Sequence, residues 1–160
     1  METRILTDQN EEDLKVLNSV SEPVEDIKEV QDLVAVLKDC LINNPDSVGL
    51  AAPQIGHNKM IFVMIDPNSS SRRVTVCINP EIIKIYNNKT GLYREGCMSI
   101  PDRQITTRRY KMLKVAYYDE TGKGHKKLLK DIEAVIFQHE LDHLFGVLMT
   151  SKSLMNEGEE

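Results

Sequence analysis

Apolar positions along the chain follow three kinds of pattern. Over 24–42 they recur at 27, 30, 33, 34, 37 and 41, the stripe of an amphipathic helix. Pro23 stands near its start, and Asn43, Asn44 and Pro45 mark its stop. Residues 61–65 and 74–78 are short apolar runs that predict two strands joined by a polar loop over 66–73. Residues 112–118 and 126–130 predict a hairpin around Glu120-Thr121-Gly122-Lys123-Gly124. The third pattern is an apolar lead-in, Val135, Ile136 and Phe137, that runs into QHELDHLFG at 138–146, with Asp131 placed to cap a helix there. These elements predict an α+β fold in a single domain over 1–160: antiparallel β-sheets packed around one central helix, with an N-terminal helix. The Gly- and Glu-rich stretch at 150–160 reads as a flexible acidic tail.

Composition narrows the partners. The chain has 160 residues, 25 acidic against 20 basic, for a net charge of −5. That balance argues against nucleic acid or an anionic membrane as a partner, since both need clustered positive charge. The basic residues between Arg103 and Lys114 read as a solvated strand edge. No 18-residue apolar stretch and no charged-then-apolar leader occurs, so neither a membrane span nor secretion is expected. Three cysteines without framework spacing fit a reducing compartment, and a cytoplasmic protein is expected. Cys40 beside the helical stripe and Cys77 inside a strand read as core packing.

QHELDHLFG carries the chemistry. It places His139 and His143 four positions apart, about 40° around a helix axis, with Glu140 directly after the first histidine. Two imidazoles so placed can reach one metal ion, and the adjacent carboxylate can carry a proton for hydrolysis. A catalytic centre has three protein ligands, so one more is required. Downstream, Met149 stands where one metalloprotease pattern has its last histidine, and no histidine follows His143. Upstream, His57, His125, many acids and three cysteines are available. Cys97 stands out within EGCMSIP, bracketed by Gly96 and Pro101 in a turn-like stretch. Spacing alone leaves Cys97 equally readable as a third ligand or as a small buried apolar residue.

QHELDHLFG, EGCMSIP and the earlier GLAAPQ at 49–54 resemble, in order and separation, the three signature motifs of the peptide deformylase family. The resemblance runs from about Ile5 to Met149 and implies removal of the formyl group from N-terminal formylmethionine, with formate released. It implies that Cys97, His139 and His143 hold one divalent metal ion per chain, Fe(II) in the first place, with zinc, nickel or cobalt as substitutes. A metal-bound water is then the nucleophile, with Glu140 as general base and acid. Gln54 and the Met98 backbone N–H stabilise the oxyanion, and Gly49, Tyr93, Ile132, Val135, Ile136 and His139 line a pocket for the methionine side chain. Of these, 132, 135, 136 and 139 share a helix face, a spacing that a core helix shows equally. Glu95 is expected to pair with Arg108 and brace the cysteine loop. Asp142 reads equally as a group orienting a ligand histidine or as an exposed helix residue.

Partners implied by the resemblance are formylmethionyl peptides or nascent chains, met by a monomer. Ser47 replaces a frequent glycine, Met98 a commoner leucine, and Gln104 an arginine that some members place near the substrate backbone. The chain ends soon after Val147, where many bacterial relatives continue into a C-terminal helix, so docking to the ribosome is not expected. Two rivals remain at this point: a zinc endopeptidase, and a decayed relative that binds peptide or metal without turnover.

Overall fold

In the computed structural model, which describes residues 3–154, β2 (Ile61–Ile65, IFVMI) is buried at all five positions. Successive strand residues point to opposite faces, so a strand apolar throughout must be covered on both. Ile61, Val63 and Ile65 pack toward helix α2 (Gln31–Ile42) through Leu37 and Leu41, while Phe62 and Met64 pack with Phe137 and Leu144 of helix α3 (Asp131–Leu144). The Phe62 and Phe137 rings meet edge to face at 5.1 Å between centroids. The sheet is thus a middle layer between two helices, and the helix bearing the histidines is central.

That sheet has five strands, all antiparallel, in the order β1 (Gly49–Ala51), β2, β3 (Val74–Ile85), β6 (Met112–Tyr118), β7 (Gly124–Lys130). A separate ribbon pairs β4 (Thr90–Cys97) with β5 (Ile100–Tyr110). Short helix α1 (Glu11–Leu17) precedes all of these, its first turn capped by the Asn10 carboxamide accepting from the Glu12 and Asp13 N–H groups. A third core joins Leu6 and Leu17 to Ile100, Ile105, Leu148 and Met149. No helix among the described residues is long and apolar enough to cross a membrane.

The α+β architecture expected above is the observed one, with local corrections. The N-terminal helical stretch begins as a 3-10 turn, Ile27–Val30, and becomes α-helical only at Gln31 because Val30 leaves helical geometry (φ −110°, ψ 11°). β3 continues well past the expected 74–78. It passes Pro80 by a register shift between Ile78 and Glu81, the kind of irregularity at which a strand tolerates proline. Asp131 does not cap α3: Lys130 is the cap residue and makes no side-chain capping bond, while Asp131 itself takes φ 53° and its N–H bonds Lys111 C=O at 2.9 Å. Part of the expected tail is held in place. Met149–Lys152 forms a 3-10 turn with Met149 buried, and Leu154 N–H bonds Thr106 C=O at 3.1 Å. Residues 155–160 of that expectation lie outside the described ones.

Candidate metal and hydrolytic site

Strand alternation puts Tyr93, Glu95 and Cys97 on one face of β4, turned toward α3. From α3, one helical turn brings His139 and His143 to the same place, with Glu140 beside them. The ligand atoms of Cys97, His139 and His143 all lie within 4.8 Å of one another. Cys97 Sγ is 3.3 Å from His143 Nε2, and the two imidazole rings stand 5.0 Å apart at 68°. His139 Nδ1 donates to Glu95 Oε1 at 2.7 Å, which fixes the tautomer and leaves Nε2 to ligate. One thiolate and two imidazoles suit a divalent ion of intermediate softness and leave a coordination position open.

The electrostatics agree with that composition. Burial holds His143 well below the usual histidine range, so it is the neutral imidazole a ligand must be. Burial disfavours charge on His139 too, but hydrogen bonds to Cys97 and Glu95 outweigh it and raise its pKa. A proton is therefore held where a cation would compete for the same donors. Burial alone would raise the Glu95 carboxyl, yet hydrogen bonds from Arg109 and His139 hold it at about 2. Glu140 is the opposite case. Burial, opposed by His139 and Arg109 but reinforced by Glu95 and Asp142, pushes its carboxyl up to about 7. Its Oε1 has no hydrogen-bond partner among the described residues. A carboxyl poised near neutrality with a free oxygen is suited to accept and return a proton.

Gln54 lies in a 3-10 turn, Ala52–Ile55, that follows β1. Its Oε1 accepts from the Ala51 N–H at 2.9 Å, so Nε2 points to Ser99 Oγ at 3.1 Å and Cys97 Sγ at 3.4 Å. A donor is thereby aimed at the ligand sulfur. Gly49 is glycine for space: a Cβ there would overlap Glu140 Oε2, with the carboxyl carbon at 2.8 Å.

A cavity of about 950 Å³ opens beside the triad. Gly49, Tyr93, Cys97, Met98, Ile132, Val135, Ile136, His139 and Glu140 all line it, whereas Gln54 and His143 are buried beside the Cys97 sulfur and are not among the lining residues. Ile132 is 53% exposed and Val135 and Ile136 are buried, so that helix face is graded from solvent inward.

Glu95 pairs with Arg109, not with Arg108 as the sequence suggested. Arg109 Nε reaches Glu95 Oε2 at 2.7 Å and Nη2 reaches Oε1 at 2.9 Å. Arg108 lies on the other face of β5 and bonds Thr90 Oγ1 at 3.1 Å. Asp142 contacts neither histidine; it accepts from Arg109 Nη1 at 2.6 Å and sits near Lys152 Nζ at 3.3 Å. The group that orients His139 is Glu95, which also accepts a bond from Thr107 Oγ1. Alternation along β5 was the available signal: Ile105, Thr107 and Arg109 are buried while Arg108 is exposed. Ser99 was missed too, and being a small polar residue in a loop it carried no pattern of its own.

A sequence model of the polypeptide deformylase family matches residues 3–158. Peptide deformylase 2 of Vibrio cholerae is 38% identical over 128 residues, 80% of this chain and 74% of that one. The peptide deformylase of Symbiobacterium thermophilum is 38% identical over 158 residues, 93% of this chain and 70% of its own. Among solved structures, peptide deformylase from Thermotoga maritima superposes with a TM-score of 0.83 at 32% identity, covering 97% of this chain and 99% of that one. A peptide deformylase from Synechococcus elongatus, solved in complex with actinonin, gives 0.83 at 29% identity over 97% of this chain and 80% of its own.

Proposed function

The chain belongs to the polypeptide deformylase family of metal-dependent hydrolases, and from that premise we propose that it hydrolyses the formamide of N-formylmethionyl polypeptides through the cavity beside Cys97. The observation that carries this reading is the meeting of three ligand atoms within 4.8 Å with a buried carboxyl poised at about 7. Cys97, His139 and His143 would hold the divalent ion, with Fe(II) the proposed native metal and zinc, nickel or cobalt able to replace it. When bound, the ion supplies Lewis acidity, drawing the pKa of a coordinated water from near 16 toward about 7.

The protein's own groups do the rest. Glu140 takes a proton from the attacking water as its oxygen bonds the formyl carbon, and returns it to the nitrogen as the C–N bond breaks. Formate leaves with the original carbonyl oxygen and the water oxygen, and the peptide leaves with a free amine. Gln54 Nε2 and the Met98 backbone N–H donate to the oxygen that becomes negative as the carbon turns tetrahedral. Glu95, itself held by Arg109, keeps His139 in the ligating tautomer. Gly49, Tyr93, Ile132, Val135 and Ile136 receive the methionine side chain. In this reading the enzyme works as a single-domain cytoplasmic monomer.

Formate release from formyl-Met-Ala-Ser, with and without chelator, tests the reading. Chelator-sensitive formate is expected. Cleavage within the peptide would favour an endopeptidase, and binding without formate would favour a decayed relative. The actinonin complex of the Synechococcus elongatus relative suggests a further check, inhibition of formate release by that compound.

A further inference from the structure

Gln54 is nearly inaccessible and its carboxamide is held at both ends: Oε1 by the Ala51 N–H and Nε2 by Ser99 Oγ. We propose that Ser99 is a positioning residue for the Gln54 amide, aiming its second N–H across the Cys97 sulfur into the reacting space. The inference rests on the oxyanion role given to Gln54 above.

Three observations support it. Ser99 is fully buried, so its hydroxyl serves something inside the protein and not solvent. The Gln54 amide has two N–H bonds to place. Ser99 Oγ at 3.1 Å takes one at ordinary length, while Cys97 Sγ at 3.4 Å is a weak acceptor whose electrons are wanted by a cation. The first N–H is thus committed and the second is the one free to turn to a developing oxyanion. Finally, the same N-terminal segment fastens both residues: Leu6 N–H bonds Gln54 C=O at 2.7 Å, and Asp8 N–H bonds Ser99 C=O at 2.9 Å. The distance between glutamine loop and cysteine loop is set by one backbone, so the Oγ–Nε2 contact inherits its rigidity. Removing the hydroxyl takes away one of the two bonds that fix the carboxamide's last torsion, which is otherwise broad.

The test is a double-mutant cycle on the metal-loaded enzyme. Ser99→Ala should lower kcat about tenfold with KM and metal content unchanged, a smaller loss than Gln54→Ala. Adding Ser99→Ala to Gln54→Ala should then cost nothing further, because the group through which Ser99 acts is gone. A residue that merely packs the cysteine loop would give the same loss in both backgrounds, and that result would overturn the proposal. A second readout needs no turnover. In the zinc-loaded enzyme labelled with ¹⁵N, the side-chain amide signal missing from Gln54→Ala should shift or broaden in Ser99→Ala; an unmoved signal refutes the positioning role. If Ser99→Ala does not fold, Ser99→Cys keeps a weaker acceptor at the same place and should give a partial loss that again vanishes in Gln54→Ala. A wild-type enzyme that releases no formate would instead overturn the function proposed above, leaving the amide signal as the separate test of Ser99.

Discussion

The space that a side chain at position 49 would need is taken by the Glu140 carboxylate. Gly49→Ala should therefore displace the proposed proton carrier while leaving the triad intact. Expect kcat to fall by at least ~10² with metal content and thermal midpoint little changed, since general acid–base help is typically worth ~10²–10⁴. Glu140→Ala removes that proposed carrier itself. Metal analysis should find the ion still bound and formate release should be lost; undiminished turnover would rule out the mechanism. Local spacing made Glu140 and both histidines visible, whereas Gly49 came only through the family resemblance. Neither could show that Gly49 and Glu140 compete for one volume, a fact created only when β1 is laid against α3.

At the scale of elements, the β4–β5 ribbon was the least legible part of the fold. Its inner face carries Glu95, Thr107 and Arg109 where an ordinary strand would carry aliphatics, so alternation of apolar and polar residues is lost. The main sheet and α3 were readable because their buried faces are aliphatic or aromatic. Arg109→Met should cost about 3–5 kcal/mol in denaturant unfolding, because it strands the buried Glu95 charge. Metal affinity should weaken roughly 10–100-fold as Glu95, the partner that orients His139, loses its own anchor. Arg108→Met, one residue away but exposed, should stay within about 0.5 kcal/mol. Helix α1 escaped notice because seven residues are too few for a clear stripe, although Asn10 before Glu11, Glu12 and Asp13 was a capping signature. There the Arg4 guanidinium, helped by the Thr7 N–H, holds the Asp13 carboxyl down at about 2. A depressed carboxylate stabilises the fold above its unfolded pKa of about 3.9, and that contribution fades as pH falls toward 2. Chemical unfolding at pH 5 and pH 3 should show a smaller acid loss for Asp13→Asn than for the parent; equal losses would mean that the Arg4 pair does not contribute.

Across the whole molecule, the candidate ligand donors come from a ribbon strand, which packs with N-terminal residues, and from the central helix, which packs with the main sheet. A bound ion therefore ties layers together. Chelation should lower the thermal midpoint as well as abolish turnover, and ligand at 100 times its dissociation constant stabilises a fold by about 2.7 kcal/mol. A midpoint indifferent to chelator would exclude Cys97, His139 and His143 as joint ligands. Part of this closure is made by Gly146, whose φ of 75° and contact with the Asn18 and Ser19 backbone let the end of α3 rest directly on the end of α1. That contact, together with the core shared by Leu6, Leu17, Leu148 and Met149, gives the enzyme a schedule. During synthesis Leu6 leaves the ribosome long before Leu148, and that side of its core stays open until the residues after the histidine helix have followed it out. The backbone that fastens Gln54 to Ser99 thus adjoins a core that closes only once Leu148 and Met149 are made, a contact of long sequence separation.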